Sequence, residues 1–81
     1  MTQDDARQRI REFLAPQLAG QRLADSDDFF ALGYVNSLFA MQLAQFLERD
    51  LGLALRPEDM DFDNFRTVDG LVRLVTAKTV V

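Results

Sequence analysis

Ala31-Leu32-Gly33-Tyr34-Val35-Asn36-Ser37-Leu38-Phe39-Ala40 is the stretch on which the reading of this chain turns. A glycine-bearing loop runs here into an amphipathic helical pattern, and Ser37 stands at the junction. Asn36 and Ser37 are both favoured helix N-caps, so capping alone would explain the pair. Ser37 stands out for a second reason: the 81 residues contain no histidine and no cysteine. A hydrolytic serine would lack an imidazole to take its proton, and the flanking residues are not the Gly-x-Ser-x-Gly of a nucleophile elbow. A serine–lysine pair would need Lys78, the only lysine, in a C-terminal tail expected to fray. The setting fits an attachment point better than a nucleophile, and no enzymatic activity is expected.

Downstream, the spacing predicts a helix from Ser37 to about Leu51. At about 100° per residue, Phe39, Ala40, Leu43, Ala44, Phe46, Leu47 and Leu51 share one broad arc, with Gln42, Gln45, Glu48 and Arg49 opposite. Leu38 and Met41 break the pattern: they are apolar, on the polar side, within a turn of Ser37. Two readings are open, a partner-docking patch or residues covered by a loop or by the last helix. Gly52 is placed to end the helix. Leu53-Ala54-Leu55 reads as extended, and Pro57-Glu58-Asp59-Met60 as a short turn opened by proline. A short irregular helix is expected around residues 62–66, with Phe62 and Phe65 plugging the core. Thr67 is a good N-cap for a last helix carrying Val68, Leu71, Val72 and Val75 on one stripe. Gly70 is expected to weaken that helix by up to ~1 kcal/mol relative to alanine.

Upstream, Ala6, Ile10, Phe13 and Leu14 mark a first helix that starts near Asp4 and ends or kinks near Ala15, ahead of Pro16. Residues 19–35 form a long connection, with Gly20 as a stop signal. Phe29, Phe30 and Leu32 are too apolar to stay in water and should pin that loop onto the helices. The expected fold class is all-α: a small bundle of three longer helices and one short one, with a long loop between the first and second.

Length and composition bound the rest. Residues 1–81 read as one small domain with an apolar fraction of 48%, enough for a core worth ~3–5 kcal/mol of net stability. The N-terminus lacks a basic segment followed by an apolar run, so no signal peptide is expected. No apolar stretch approaches the ~20 residues of a membrane span. A cytoplasmic location and a monomer are the expectations. The net charge of −4 is unevenly spread: residues 1–24 carry +1, residues 25–63 carry −7, and residues 64–81 carry +2. An acidic block around Ser37 disfavours nucleic acid and favours partners with basic docking surfaces. Asp59, Asp61 and Asp63 alternate as EF-hand ligands do. Asn64 and Gly70 stand where the hand needs glycine and glutamate, so no metal site is expected.

The run Asp28-Phe29-Phe30-Ala31-Leu32-Gly33-Tyr34-Val35-Asn36-Ser37-Leu38 resembles the attachment-site motif of acyl carrier proteins. In that family a leucine–glycine pair leads to an acidic residue, then the modified serine, then a leucine or similar residue. The likeness covers nearly the whole chain, through the helix opened by Thr67-Val68; the departure is Asn36, where most members have aspartate. The resemblance implies an acyl-carrier-like bundle in which Ser37 carries 4′-phosphopantetheine, transferred from coenzyme A by a separate phosphopantetheinyl transferase. Asn36 removes one charge beside the site and bears on which modifying enzyme is preferred; with Leu38 and Met41 it makes up the expected partner-docking residues.

A narrower likeness, in Val35-Asn36-Ser37-Leu38-Phe39-Ala40-Met41-Gln42-Leu43 and Asp61-Phe62-Asp63-Asn64-Phe65-Arg66, is to discrete carriers that build methoxymalonyl-type extender units for polyketide synthases. It implies a glycerate-derived cargo and, as partners, an acyl-loading enzyme, dehydrogenases, a methyltransferase and a polyketide synthase acyltransferase. Phe39 and Gln42 make the start of the second helix less acidic than in fatty-acid carriers. A fatty-acid carrier, an aminoacyl carrier and an unmodified helical interaction module are the alternatives.

Overall fold

Thr2 accepts a hydrogen bond from the Asp5 N–H through its hydroxyl, 3.1 Å away, and so caps the first helix, α1 (Gln3–Leu18). The computed structural model describes residues 2–79. Two further α-helices follow, α2 (Ser37–Arg49) and α3 (Val68–Thr79), with single-turn 3₁₀ helices at Pro57–Asp59 and Phe62–Asn64. There is no strand among the described residues. The architecture is the expected all-helical bundle: the turn expected at Pro57–Met60 is the first 3₁₀ helix, and the short irregular helix expected around residues 62–66 is the second.

The predicted stripes form the core. Ala6, Ile10 and Leu14 from α1 and Val68, Leu71 and Val75 from α3 are fully or almost fully buried, and these two helices lie closest together. From α2, Phe39, Leu43, Ala44 and Leu47 close the core on its third side. Phe13 stays partly buried and joins α1 to α2, stacking on Phe46 with ring centroids 4.3 Å apart and tilting against Phe39 at 5.4 Å. Aromatic pairs of this kind add roughly 0.5–1.5 kcal/mol beyond the area they bury.

Several boundaries depart from the sequence reading. α1 runs through Pro16 to Leu18 instead of stopping near Ala15. Pro16 lies in the exposed last turn, so the Glu12 carbonyl that loses its helical N–H can bond to water. Ala19 then takes left-handed geometry (φ 50°) and Gly20 continues the turn. α2 ends at Arg49, with Asp50 as its cap; Gly52, at φ 70°, turns the chain two residues later, and the Leu53 N–H returns to the Leu47 carbonyl at 3.0 Å. α3 continues past Lys78 to Thr79, and residues 80 and 81 of the expected frayed tail lie outside the described residues. Lys78 Nζ sits 2.6 Å from Asp59 Oδ2. The only lysine is thus committed to an ion pair and is no candidate base.

The long loop is ordered, and two of its three expected apolar anchors hold it. Phe29 is fully buried and Phe30 packs against the core, whereas Leu32 is 56% exposed. Leu23 adds an apolar anchor. Polar bonds do the rest. Asp25 pairs with Arg7 and Arg11, and its carbonyl accepts from the Asp69 N–H at the start of α3. Arg11 also donates to the Leu23 carbonyl. Phe62, expected in the core, is 49% exposed; it lies between Phe30, at 4.9 Å, and the guanidinium of Arg66, also at 4.9 Å. Phe65 alone plugs the core from this segment.

Candidate functional site

Ser37 occupies the first position of α2, because Asn36 before it takes the cap. Asn36 Oδ1 accepts from the Phe39 N–H at 3.1 Å, and the Asn36 carbonyl accepts from the Ala40 N–H at 3.1 Å. The ambiguity of the Asn-Ser pair is thereby resolved. Ser37 is exposed, and its hydroxyl bonds to no other described residue. The N–H groups of Ser37 and Leu38 are likewise left without described partners, as expected at a helix start. An anion joined to Ser37 Oγ would meet these donors and the positive end of the helix dipole. No acidic residue stands in the first turn of α2 to oppose it. Asn36 keeps the cap that aspartate would make and adds no negative charge.

The approach to Ser37 is held by Asp28. Its Oδ1 accepts from the N–H groups of Phe30 and Ala31, both at 3.0 Å, and its Oδ2 lies 2.5 Å from Arg66 Nε. The Phe29 N–H donates to the Arg66 carbonyl at 3.0 Å. Arg66 also reaches Asp63, at 3.3 Å. The Ala31 N–H is the main cause holding the Asp28 carboxyl below its ordinary range; partial desolvation opposes it, and Arg66 and the Phe30 N–H reinforce it. Arg66, in turn, is held more firmly protonated, chiefly by its hydrogen bond to Asp28. This clasp joins residues 38 apart and was invisible to local pattern reading. Gly33, at φ 82°, supplies the left-handed turn on the way to the serine.

Beside Ser37, Leu38 and Met41 are 64% and 63% exposed, so neither a loop nor α3 covers them. Phe39, at 5% exposure, belongs to the core and contributes nothing to that outer surface. Met41 instead lines an apolar cleft with Ala40, Met60, Phe62 and Phe65. The acidic block is softer than its count. Asp25, Asp28, Glu58, Asp59 and Asp63 all face arginine or lysine. The alternating acids do separate jobs: Asp61 accepts from the Asp63 N–H, Asp63 pairs with Arg66, and Asp59 is bound by Lys78 and the Arg56 N–H.

Ser37 is thus an exposed serine free of capping duty, at the start of a packed helix and beside an uncovered apolar patch. A family model described as "phosphopantetheine attachment site" matches residues 7–75, and the chain belongs to that family. The family's domains carry 4′-phosphopantetheine on a serine and act as acyl carriers instead of catalysts. A carrier of this class works with a phosphopantetheinyl transferase and with acyl-handling enzymes. Comparison with curated proteins gave no match, and comparison with solved structures gave none. Among the described residues, no helix is long and apolar enough to cross a membrane.

Proposed function

We propose that Ser37 is the serine that accepts 4′-phosphopantetheine, and that residues 1–81 form one carrier domain acting as a cytoplasmic monomer. The observation that carries this reading is the division of labour at the start of α2, where Asn36 caps and leaves the Ser37 hydroxyl exposed and free. The other serine, Ser26, lies in the loop between Asp25 and Asp27 and begins no helix. In the modification Ser37 Oγ attacks the pantetheine-bearing phosphate of coenzyme A: an O–P bond forms as the pyrophosphate link breaks, and adenosine 3′,5′-bisphosphate leaves. The transferase supplies the metal and the base that takes the serine proton. This chain therefore needs neither. The bound arm supplies a thiol on a flexible tether that holds an acyl group as a thioester. Leu38 and Met41 serve as the apolar contact for partners, and Asn36 fixes the serine they approach.

The cargo we assign is a glycerate-derived hydroxy- or methoxymalonyl-type extender unit for polyketide synthesis. Its support is the likeness of Val35–Leu43 and Asp61–Arg66 to carriers of that kind. The partners would then be an acyl-loading enzyme, dehydrogenases, a methyltransferase and a synthase acyltransferase.

Intact mass after incubation with coenzyme A, magnesium and a broad-specificity phosphopantetheinyl transferase tests the site. Wild type and Ser26→Ala should each gain one arm, and Ser37→Ala none while keeping its fold. A Ser37→Ala chain that still gains the arm would refute the assignment. Presenting the loaded carrier to glyceryl-loading and fatty-acyl-loading enzymes in parallel tests the cargo. Exclusive acceptance by the fatty-acyl enzymes would overturn the extender-unit reading.

A further inference from the structure

Both methionines of the described residues line one cleft. Met41 on α2 and Met60 after the Pro57–Asp59 turn bound an apolar cleft of about 140 Å³ together with Ala40, Phe62 and Phe65. Met41 is 63% and Met60 50% exposed, and the buried core contains no methionine. The chain has no cysteine, so before any arm is attached its only sulfurs are thioethers. A thioether is the one apolar side chain that a mild oxidant turns polar without breaking the chain.

We infer that Met41 and Met60 form an oxidation-sensitive pair: a hydroperoxide converts both to sulfoxides in the folded protein and turns the docking cleft polar. In each step the sulfur lone pair attacks the distal peroxide oxygen, forming an S–O bond as the O–O bond breaks. The transferred oxygen's proton passes to the departing oxygen, which leaves as water when the oxidant is hydrogen peroxide. Sulfur loses two electrons and the peroxide gains them. The core is untouched, since neither residue belongs to it. A partner covering the cleft must instead desolvate new sulfoxide oxygens, which weakens contact roughly fivefold or more when they stay unpaired. This inference rests on the docking role proposed for Met41. The readouts below separate the two.

The experiment exposes the full chain to dilute hydrogen peroxide, alongside Met41→Leu/Met60→Leu, which keeps the cleft apolar and near its original volume. A peptide mass map should show about 16 Da added at each of Met41 and Met60, with the melting transition still cooperative. Fluorescence of the apolar dye anilinonaphthalene sulfonate and the rate of arm transfer should both fall about fivefold or more. Methionine sulfoxide reductases should restore both, and the leucine variant should be indifferent to peroxide. Full oxidation with dye binding and transfer unchanged would overturn the inference. So would an equal loss in the leucine variant, or sulfoxides that form only once the fold is lost. If the untreated chain takes no arm, the carrier assignment fails, while the mass map and dye still decide the oxidation.

Discussion

Replacing Gly70 by alanine sets two accounts of α3 against each other with opposite signs. Helix propensity alone predicts a gain of up to ~1 kcal/mol, since glycine is the weaker helix former. The packing predicts a loss. A Cβ on Gly70 would stand 2.9 Å from the Asp63 carbonyl oxygen, 3.1 Å from Thr67 Oγ1 and 3.2 Å from the Asn64 carbonyl oxygen. Two of these are backbone atoms of the adjoining 3₁₀ segment, and the third is the hydroxyl that caps α3 by accepting from the Gly70 N–H at 2.9 Å. None is the free end of a flexible side chain. Relief would push the Phe62–Asn64 turn outward, against buried Phe65 and the Arg66–Asp28 clasp. Overpacking of this kind costs about 1–3 kcal/mol. Less the propensity gain, the expected net loss is about 1 kcal/mol, or a fall of roughly 4–8 °C in Tm for a domain this size. Urea unfolding followed by circular dichroism distinguishes the two accounts. They differ by about 2 kcal/mol, whereas extrapolation error on a stability of ~4 kcal/mol is near 0.5. A Gly70→Ala chain more stable than wild type would refute the packing argument.

Three further outcomes are expected. Asn36→Ala should lower stability by about 1 kcal/mol, while Asn36→Asp, which keeps an acceptor and adds charge at the helix start, should not; equal losses on urea unfolding would remove the cap from the account. Asp28 and Asp59 both have carboxyls held below their ordinary range, Asp59 chiefly by its hydrogen bond to Lys78. Their contribution is therefore fully present above the unfolded value near ~4 and is lost as pH falls through the lowered folded values. Urea midpoints recorded from neutral pH downward should hold until about pH 5 and then drop, and Asp28→Asn or Asp59→Asn should flatten that drop. Leu38→Asp should slow arm transfer several-fold and leave Tm nearly unchanged, because the residue is 64% exposed; a large fall in Tm with unchanged transfer kinetics would place Leu38 in the core.

The helices were legible because each carries its own periodicity and punctuation. Ala6, Ile10 and Leu14, and again Val68, Leu71 and Val75, declare their buried face by spacing, and Thr67 declares a helix start by its chemistry. The start of α2 at the Asn36–Ser37 pair was legible for the same local reason. Periodicity marks which face is apolar but not what will cover it, which is why Phe62 and Leu32 were misplaced. Local propensity does not register a neighbouring segment either, so Gly70 read as a weakness when it is a point of close approach. Pro16 was misjudged because an exposed last turn tolerates a missing N–H that a helix interior would not. The Asp28–Arg66 and Asp59–Lys78 pairs join residues far apart in the chain, and no window of sequence contains both partners.

The clasp between Asp28 and Arg66 also bears on when the serine becomes presentable. Synthesis runs from the N-terminus, so Ser37 and its neighbours are joined to the chain before Arg66 exists. At that moment Phe29 has no Arg66 carbonyl to bond, Asp28 no guanidinium, and α1 none of the α3 surface it packs on. The loop leading into Ser37 can settle only once the final third of the protein has been made. A truncated product would carry Ser37 on an unsettled loop, and under the assignment proposed for Ser37 a transferase that reads the assembled surface would pass it over.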